Sequence, residues 1–496
     1  MSNDETKQGQ NVRNIELSSM ANNVLAAVGM ADVVRTTLGP RGLDKLLVDQ
    51  LGNRVITNDG YTVLVSIKTN HPVSRLLVEI AERQQMSVGD GTTSAVIMAA
   101  EMLKEGYRII SEYNIHPTKI IREIDEGLPI IQDYLKASAI SISSLHDPLL
   151  LRVINTATSS KLDGKFIAEL IAKAVDLLDK TGRKDFRHGI VLLRRLGDDL
   201  FINGIALEHL PVDVSVLEGI KAPTICLVKD TLKLPLKGKE DDDRTQLIST
   251  FEGSKINIII TNAPEIDQSL KLALTTRGIA IIRVSTEELE LVSKALSLKW
   301  VYGIELLNGV NPHITQIDSI DINEDDELTV LRSPKSGVVA TLLIGGVTNE
   351  TSKERMRTTT DGISAAHFAM EGGVVAGGGI AELNCAKHLQ KYTAEKGIQK
   401  PGFDVLIKGL ESISRQILDN SGYNGYEMAL KIKGKPDGMG VDIDSGNFID
   451  MVQHGIVDPL VTKISAINVA VHITKSILKI DRNLLKVEDK QDVSIS

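Results

Sequence analysis

Residues 92–110, TTSAVIMAAEMLKEGYRII, carry apolar residues at helical spacing and leave almost no polar side. A helix apolar on nearly every side is expected to be buried within the protein. Further helical patterns occur at 17–37, 71–87, 116–137 and 163–180. Between the first two of these, LGPRG breaks the helix at Gly39, Pro40 and Gly42, and KLLVDQLGNRVITNDG reads as two short strands around a Gly-Asn turn.

The middle of the chain differs. GIVLLRRL, PTICLV, INIIIT and IAIIRV are short, β-branched apolar runs with helical patterns between some of them, an α/β signature with buried strands. KGKEDDDRTQ (237–246) reads as a solvated loop and DINEDDE (321–327) as an exposed turn. GVVATLLIGGV (337–347) is a strand leading into helix, and from about residue 373 the pattern is again mostly helical. The polar end VEDKQDVSIS is expected to fray. The fold class is therefore α+β and multidomain, with helical ends enclosing an α/β insert. A chain of 496 residues is long enough for two or three such units.

Composition narrows the function. Net charge is −9, which gives no global field for nucleic acid or anionic membrane, and aromatics are only 3%, too few for base-stacking surfaces. Cys226 and Cys385 form neither a disulfide framework nor a zinc spacing. No run reaches the ~18 apolar residues of a membrane span, and the polar start has no signal core. A cytoplasmic protein without nucleic-acid or membrane partners is expected.

VGDGTTSA (88–95) opens the buried helix. Helix N-termini attract phosphate through unpaired amides and the helix dipole. Gly89 and Gly91 allow close backbone approach, and Thr92, Thr93 and Ser94 add hydroxyls. A carboxylate among phosphates needs an intervening cation, so Asp90 is the natural Mg²⁺ ligand. The chain has no G-x-x-x-x-G-K-[ST] motif. Taken singly, GDG is an ordinary turn, NDG (58–60) a hairpin turn and DIDSG (442–446) a plain turn.

Together, TTLGPRGLDKLLVD, VITNDGYTVL, VGDGTTSAVIMAAEML, EGGVVAGGGIAEL and GIVDPLVTK closely resemble the chaperonin family. TSSK (158–161) and HPTKIIREIDEG (116–127) point to its archaeal thermosome and eukaryotic cytosolic TCP-1 branch, group II. The resemblance spans about residues 11–485 and is weak over 200–330.

The resemblance implies three domains: a mostly helical equatorial ATP-binding domain (1–143 and 373–496), a small α/β intermediate hinge (144–199 and 333–372) and an α/β apical domain (200–332). It implies ATP and Mg²⁺ as cofactors, unfolded proteins as clients, and a double ring of identical or mixed subunits. Residue by residue, it assigns Asp90 to Mg²⁺ and Asp59 to the region of the γ-phosphate and attacking water. Leu38, Gly39 and Pro40 would lie along phosphates and adenosine. Gly91, Thr92, Thr93 and Ser94 would cradle phosphate, Gly378 would present backbone to the nucleotide, Asp458 would bind ribose and Lys161 would sense the γ-phosphate. Asp361 falls on the hydrolytic carboxylate, reached from the hinge, so that hydrolysis would require closure.

Two departures stand out. Gly362 costs roughly 1 kcal/mol in a helix relative to Ala, so the helix bearing Asp361 is expected to start late or flex. The apical insert is short around 233–253, where the branch carries part of a lid, while 206–223 keeps something like the other half of the protrusion. The implied function is an ATP-dependent folding chaperone; the alternative is a non-catalytic scaffold subunit in a mixed ring.

Overall fold

The computed structural model describes residues 4–48, 51–52, 54–159, 161–180, 189–217, 220–230, 240–307, 309–332 and 340–481. Two compact units divide the chain, one built from residues 1–168 and 357–496, the other from 169–356.

The first unit starts with helix α1 (Asp4–Arg35) and an antiparallel hairpin, β1 (Lys45–Val48) and β2 (Arg54–Thr57). Then come α2 (Gly60–Ser66), α3 (Pro72–Val88), α4 (Thr92–Tyr113), α5 (Pro117–Ser138), α6 (Pro148–Thr158) and the start of α7 (Gly164–Lys180). Three of these begin alike: His71, His116 and Asp147 each cap a backbone amide, with proline at the next position. Proline lacks the amide that would be orphaned there, and its φ is preset for helix.

The second unit continues with β3 (Ile190–Arg194), β4 (Leu200–Asn203), β5 (Ile205–Leu207) and β6 (Thr224–Lys229). After β6 the chain alternates: α8 (Glu240–Gly253), β7 (Ile258–Thr261), α9 (Gln268–Thr275), β8 (Ala280–Arg283), α10 (Thr286–Leu296), β9 (Val301–Tyr302) and α11 (Gly303–Leu307). Strands β6, β7 and β8 are parallel neighbours, and β9 also pairs with β6 in parallel. Next come β10 (Ile314–Gln316), which closes the edge beside β6, then β11 (Ser319–Asn323), β12 (Leu328–Arg332) and β13 (Ala340–Ile344). Two smaller sheets have the orders β11-β12-β5 and β3-β13-β4.

Parallel strands need long crossovers, and this explains a difference from the sequence reading. Residues 240–246 belong to crossover helix α8, which carries the β6–β7 connection, and are not a solvated loop; 237–239 lie outside the described residues. Leu247, Ile248 and Phe251 of α8 are buried against Ile259, Ile281 and Val301 of the sheet. Among the described residues of 206–223, the only helical piece is the 3₁₀ turn Val214–Leu217, and Pro211 bridges to Ile282 at the β8 edge.

The chain re-enters the first unit along α12 (Asn349–Gly372), then β14 (Val374–Ala376), α13 (Ile380–Lys396), α14 (Pro401–Asn420) and α15 (Gly425–Lys433). It ends with β15 (Met439–Val441), β16 (Phe448–Asp450), β17 (Val457–Pro459) and α16 (Leu460–Leu478). The apolar helix α4 lies at the centre of this unit, packed on α1, α14 and α16. Its Ile97, Met98, Met102 and Leu103 are fully buried with Leu406, Leu410, Ile467 and Ile477. Each such side chain contributes about 1.5–3 kcal/mol. Phe403 of α14 is 1% exposed in the same core and packs near Tyr392. Phe403→Ala is expected to destabilise this unit by about 3–5 kcal/mol, seen as a lower denaturation midpoint of the helical circular-dichroism signal.

Candidate nucleotide site

One cavity of about 490 Å³ lies within the first unit. Its walls contain Leu38, Gly39, Pro40, Asp59, Asp90, Gly91, Thr92, Thr93, Ser94, Lys161, Asp361, Gly378 and Asp458. The residues singled out in the sequence thus converge on one space, although they lie as far apart as residues 38 and 458.

Two long helices start at this cavity without a side-chain cap. Gly91 precedes α4 with φ 81°, and Gly379 precedes α13 with φ 76°. Both need glycine for the left-handed turn, and a Cβ on Gly379 would lie 2.5 Å from the Ser414 amide nitrogen. Uncapped first-turn amides with room before them suit an anion.

The GDG loop is held from behind by two glutamines that the sequence reading missed. Gln84 Nε2 donates to the Asp90 carbonyl (2.9 Å), and Ser465 Oγ donates to Gln84 Oε1 (2.7 Å). Gln85 Nε2 donates to the Gly89 carbonyl, and Thr92 Oγ1 to Gln85 Oε1. Asn420 does the same for the LGP loop, donating to the carbonyls of Arg35 and Leu38 at 2.9 and 2.8 Å. The signal for Gln84 and Gln85 was polar residues late in α3, buried or half-buried just before the glycines.

NDG is not a hairpin turn. Asp59 joins strand β2 to helix α2 and caps it, Oδ2 accepting from Thr62 N (2.9 Å) and Thr62 Oγ1 (2.5 Å). Gly60 is packed so closely that a Cβ there would overlap Thr93 Oγ1, so the two motifs touch. DIDSG is a turn, with Ser445 Oγ donating to Asp442.

Asp361 lies inside α12, which runs unbroken through Gly362. The helix neither starts late nor ends at Asp361. Thr358, Thr359, Asp361, Ile363 and Ala366 are all buried, and tertiary packing overrides the weak local propensity. Lys161 Nζ donates to Asp361 Oδ2; Asp361 is buried and Lys161 partly so. Asp361 shares the cavity with Asp90.

Three carboxylates surround this one ammonium. Burial pushes the Asp361 carboxyl up to about 7; Lys161 pulls it down, while Asp90 and Asp59 add to the rise. Burial also raises Asp90, opposed by Lys161 and the Gly91 amide, which donates to Oδ1 at 2.6 Å. Burial alone would lower Lys161, but Asp361, Asp90 and Asp59 outweigh it and hold the ammonium above its ordinary value. Such a site gains from a ligand that brings cations to the carboxylates.

Helix α6, absent from the sequence reading, adds Asn155, Thr156 and Ala157 to the wall; Asp147-Pro148 was its start signal. Ile380, Leu418, Ile432, Val441 and Met451 form an apolar side. Asp458 sits on β17, paired with β14, and its Oδ2 lies 2.7 Å from Lys463 Nζ.

Comparison with known proteins bears on this arrangement. A profile of the TCP-1/cpn60 chaperonin family matches residues 30–486. The chain belongs to the TCP-1/cpn60 chaperonin family. It is a chaperonin subunit with the chaperonin fold. Thermosome subunit alpha of Thermoplasma acidophilum is 30% identical, over 96% of this chain and 92% of that one. Thermosome subunit beta of Methanothermobacter thermautotrophicus is also 30% identical, over 92% and 90%. A crystal structure of a group III chaperonin in the open state superposes with TM-score 0.80 at 24% identity, covering 94% of this chain and 98% of that one. Among the described residues, no helix is long and apolar enough to cross a membrane.

Proposed function

We propose that this chaperonin subunit hydrolyses ATP with Mg²⁺ in the cavity at the head of α4, and couples turnover to the folding of client proteins in the cytoplasm. The observation that carries the reading is the meeting of Lys161 and Asp361 in the same cavity as the uncapped α4 amides and Asp90. The donor set fits Mg-nucleotide. The amides of Thr92, Thr93 and Ser94 and the hydroxyls of Thr93 and Ser94 receive phosphate, which Gly91 lets approach closely, and Asp90 offers the hard oxygen Mg²⁺ prefers. Among the described residues no cluster of three or more metal-ligating side chains occurs. That suits an ion held by one carboxylate and the substrate's own phosphates.

Mg²⁺ held by Asp90 would neutralise phosphate charge. Lys161 then contacts the γ-phosphate and frees Asp361, whose carboxylate accepts a hydrogen bond from water and aligns it for in-line attack. Asp59 supports the same water, and Asp458 holds the ribose. The apolar side of the cavity takes the base, between Leu38, Gly39 and Pro40 and the backbone of Gly378. In this reading, residues 1–143 and 373–496 form the equatorial domain, 144–199 and 333–372 the hinge, and 200–332 the apical domain that binds exposed apolar segments of clients. Subunits assemble as a double ring, alone or with other chaperonin chains.

One observation favours a second reading, a scaffold subunit without turnover: Asp361 is tied to Lys161 rather than free. Native mass spectrometry of the purified chain with Mg-ATP, with phosphate release followed in the same sample, separates the two. Large rings with turnover support the first reading. Rings without turnover, or monomers, overturn autonomous activity.

A further inference from the structure

A largely buried charge cluster in the cavity wall has one member, Asp458, placed by the reading above. Glu382, in the first turn of α13, is fully buried and lines the cavity. Lys463, near the start of α16, is also buried, with Nζ 2.9 Å from Glu382 Oε1 and 2.7 Å from Asp458 Oδ2. Burial alone would lower this ammonium, but Asp458 and then Glu382 outweigh it and keep it charged. One cation therefore separates and only half neutralises two carboxylates.

The contact with Glu382 lacks hydrogen-bond alignment, and Glu382 Oε2 has no hydrogen-bond partner at all. Thr462 Oγ1, beside Lys463 and also in the cavity wall, is buried without a partner as well. A buried carboxylate oxygen without a donor is costly and uncommon. Glu382 belongs to the cavity wall, and a turn of its side chain would bring Oε2 to a ligand's donor. The cluster carries net negative charge, so the ligand group is a neutral donor such as a hydroxyl and not phosphate.

We propose that Glu382 is a second sugar-recognition residue, so that Glu382 and Asp458, spaced by Lys463, each accept a hydrogen bond from one of two neighbouring ribose hydroxyls. The proposal rests on the reading of the cavity as a nucleotide site. It makes the site selective for ribonucleotides, because removing either hydroxyl takes a donor from a carboxylate of the cavity wall.

The test is calorimetric binding of ATP, 2′-deoxy-ATP and 3′-deoxy-ATP to the full chain with Mg²⁺, for wild type and Glu382→Met. Wild type is expected to bind both deoxy analogues at least about tenfold more weakly than ATP. Glu382→Met is expected to lose discrimination against one analogue and keep it against the other. Wild-type discrimination against at most one analogue overturns the proposal, and this comparison decides alone should the variant not fold. Equal weakening of all three nucleotides by Glu382→Met also overturns it, assigning Glu382 a structural role. Binding of none of the three brings down the nucleotide reading itself, and this proposal with it.

Discussion

Replacing Asp361 with asparagine is expected to reduce ATP turnover by about 10²–10⁴-fold while leaving nucleotide binding within a few-fold of wild type. The side chain keeps its shape and its place in α12, but an amide aligns attacking water poorly. Single-turnover phosphate release, paired with binding of labelled ATP, separates chemistry from affinity. Turnover that survives the substitution would remove Asp361 from the role given to it. Loss of binding in parallel with turnover would make it a phosphate-site residue instead.

The same substitution is expected to stabilise the nucleotide-free protein. The Asp361 carboxyl is raised from 3.8 to about 7 by burial, so the folded chain holds this proton more tightly than the unfolded chain. Its contribution to stability is present below about pH 4 and is lost as pH rises through about 7, amounting to a few kcal/mol. Asparagine cannot ionise and escapes that loss. Lys161 retains Asp90 and Asp59 as partners in the variant. Denaturant unfolding at pH 8 should place Asp361→Asn above wild type, with the gap narrowing toward pH 5. A variant less stable than wild type at pH 8 would mean that the Lys161 ion pair outweighs the burial of the charge. A residue kept for activity at the expense of stability is a common trade.

Much of this was legible in the primary structure, because the cavity is lined by loops whose glycines and carboxylates have little freedom to be anything else. GDGTT, LGP, AGGG and GIVDP each mark a point where backbone turns sharply at a helix or strand end. The parallel strands were visible as continuous β-branched runs, since both faces are covered. Less visible was what acts through packing. The acidic run 240–246 is helical because it belongs to a crossover between β6 and β7 and because Phe251 anchors that helix. Gly362 sits in an unbroken helix because its neighbours are buried. Glu382 and Lys463 looked like ordinary charged residues on helices. Only the fold brings them within 2.9 Å of each other, beside Asp458.

The central position of α4 also governs how the molecule comes into being. Its buried face is completed by α14 and α16, which the ribosome makes only after the whole inserted unit. At about 5–20 residues per second, residues 92–113 wait roughly 20–75 s until residue 478 is made. Through that interval this deeply buried helix lacks the α14 and α16 faces that complete its packing. A subunit read here as a guardian of unfinished proteins is, during its own synthesis, an unfinished protein of the most exposed kind.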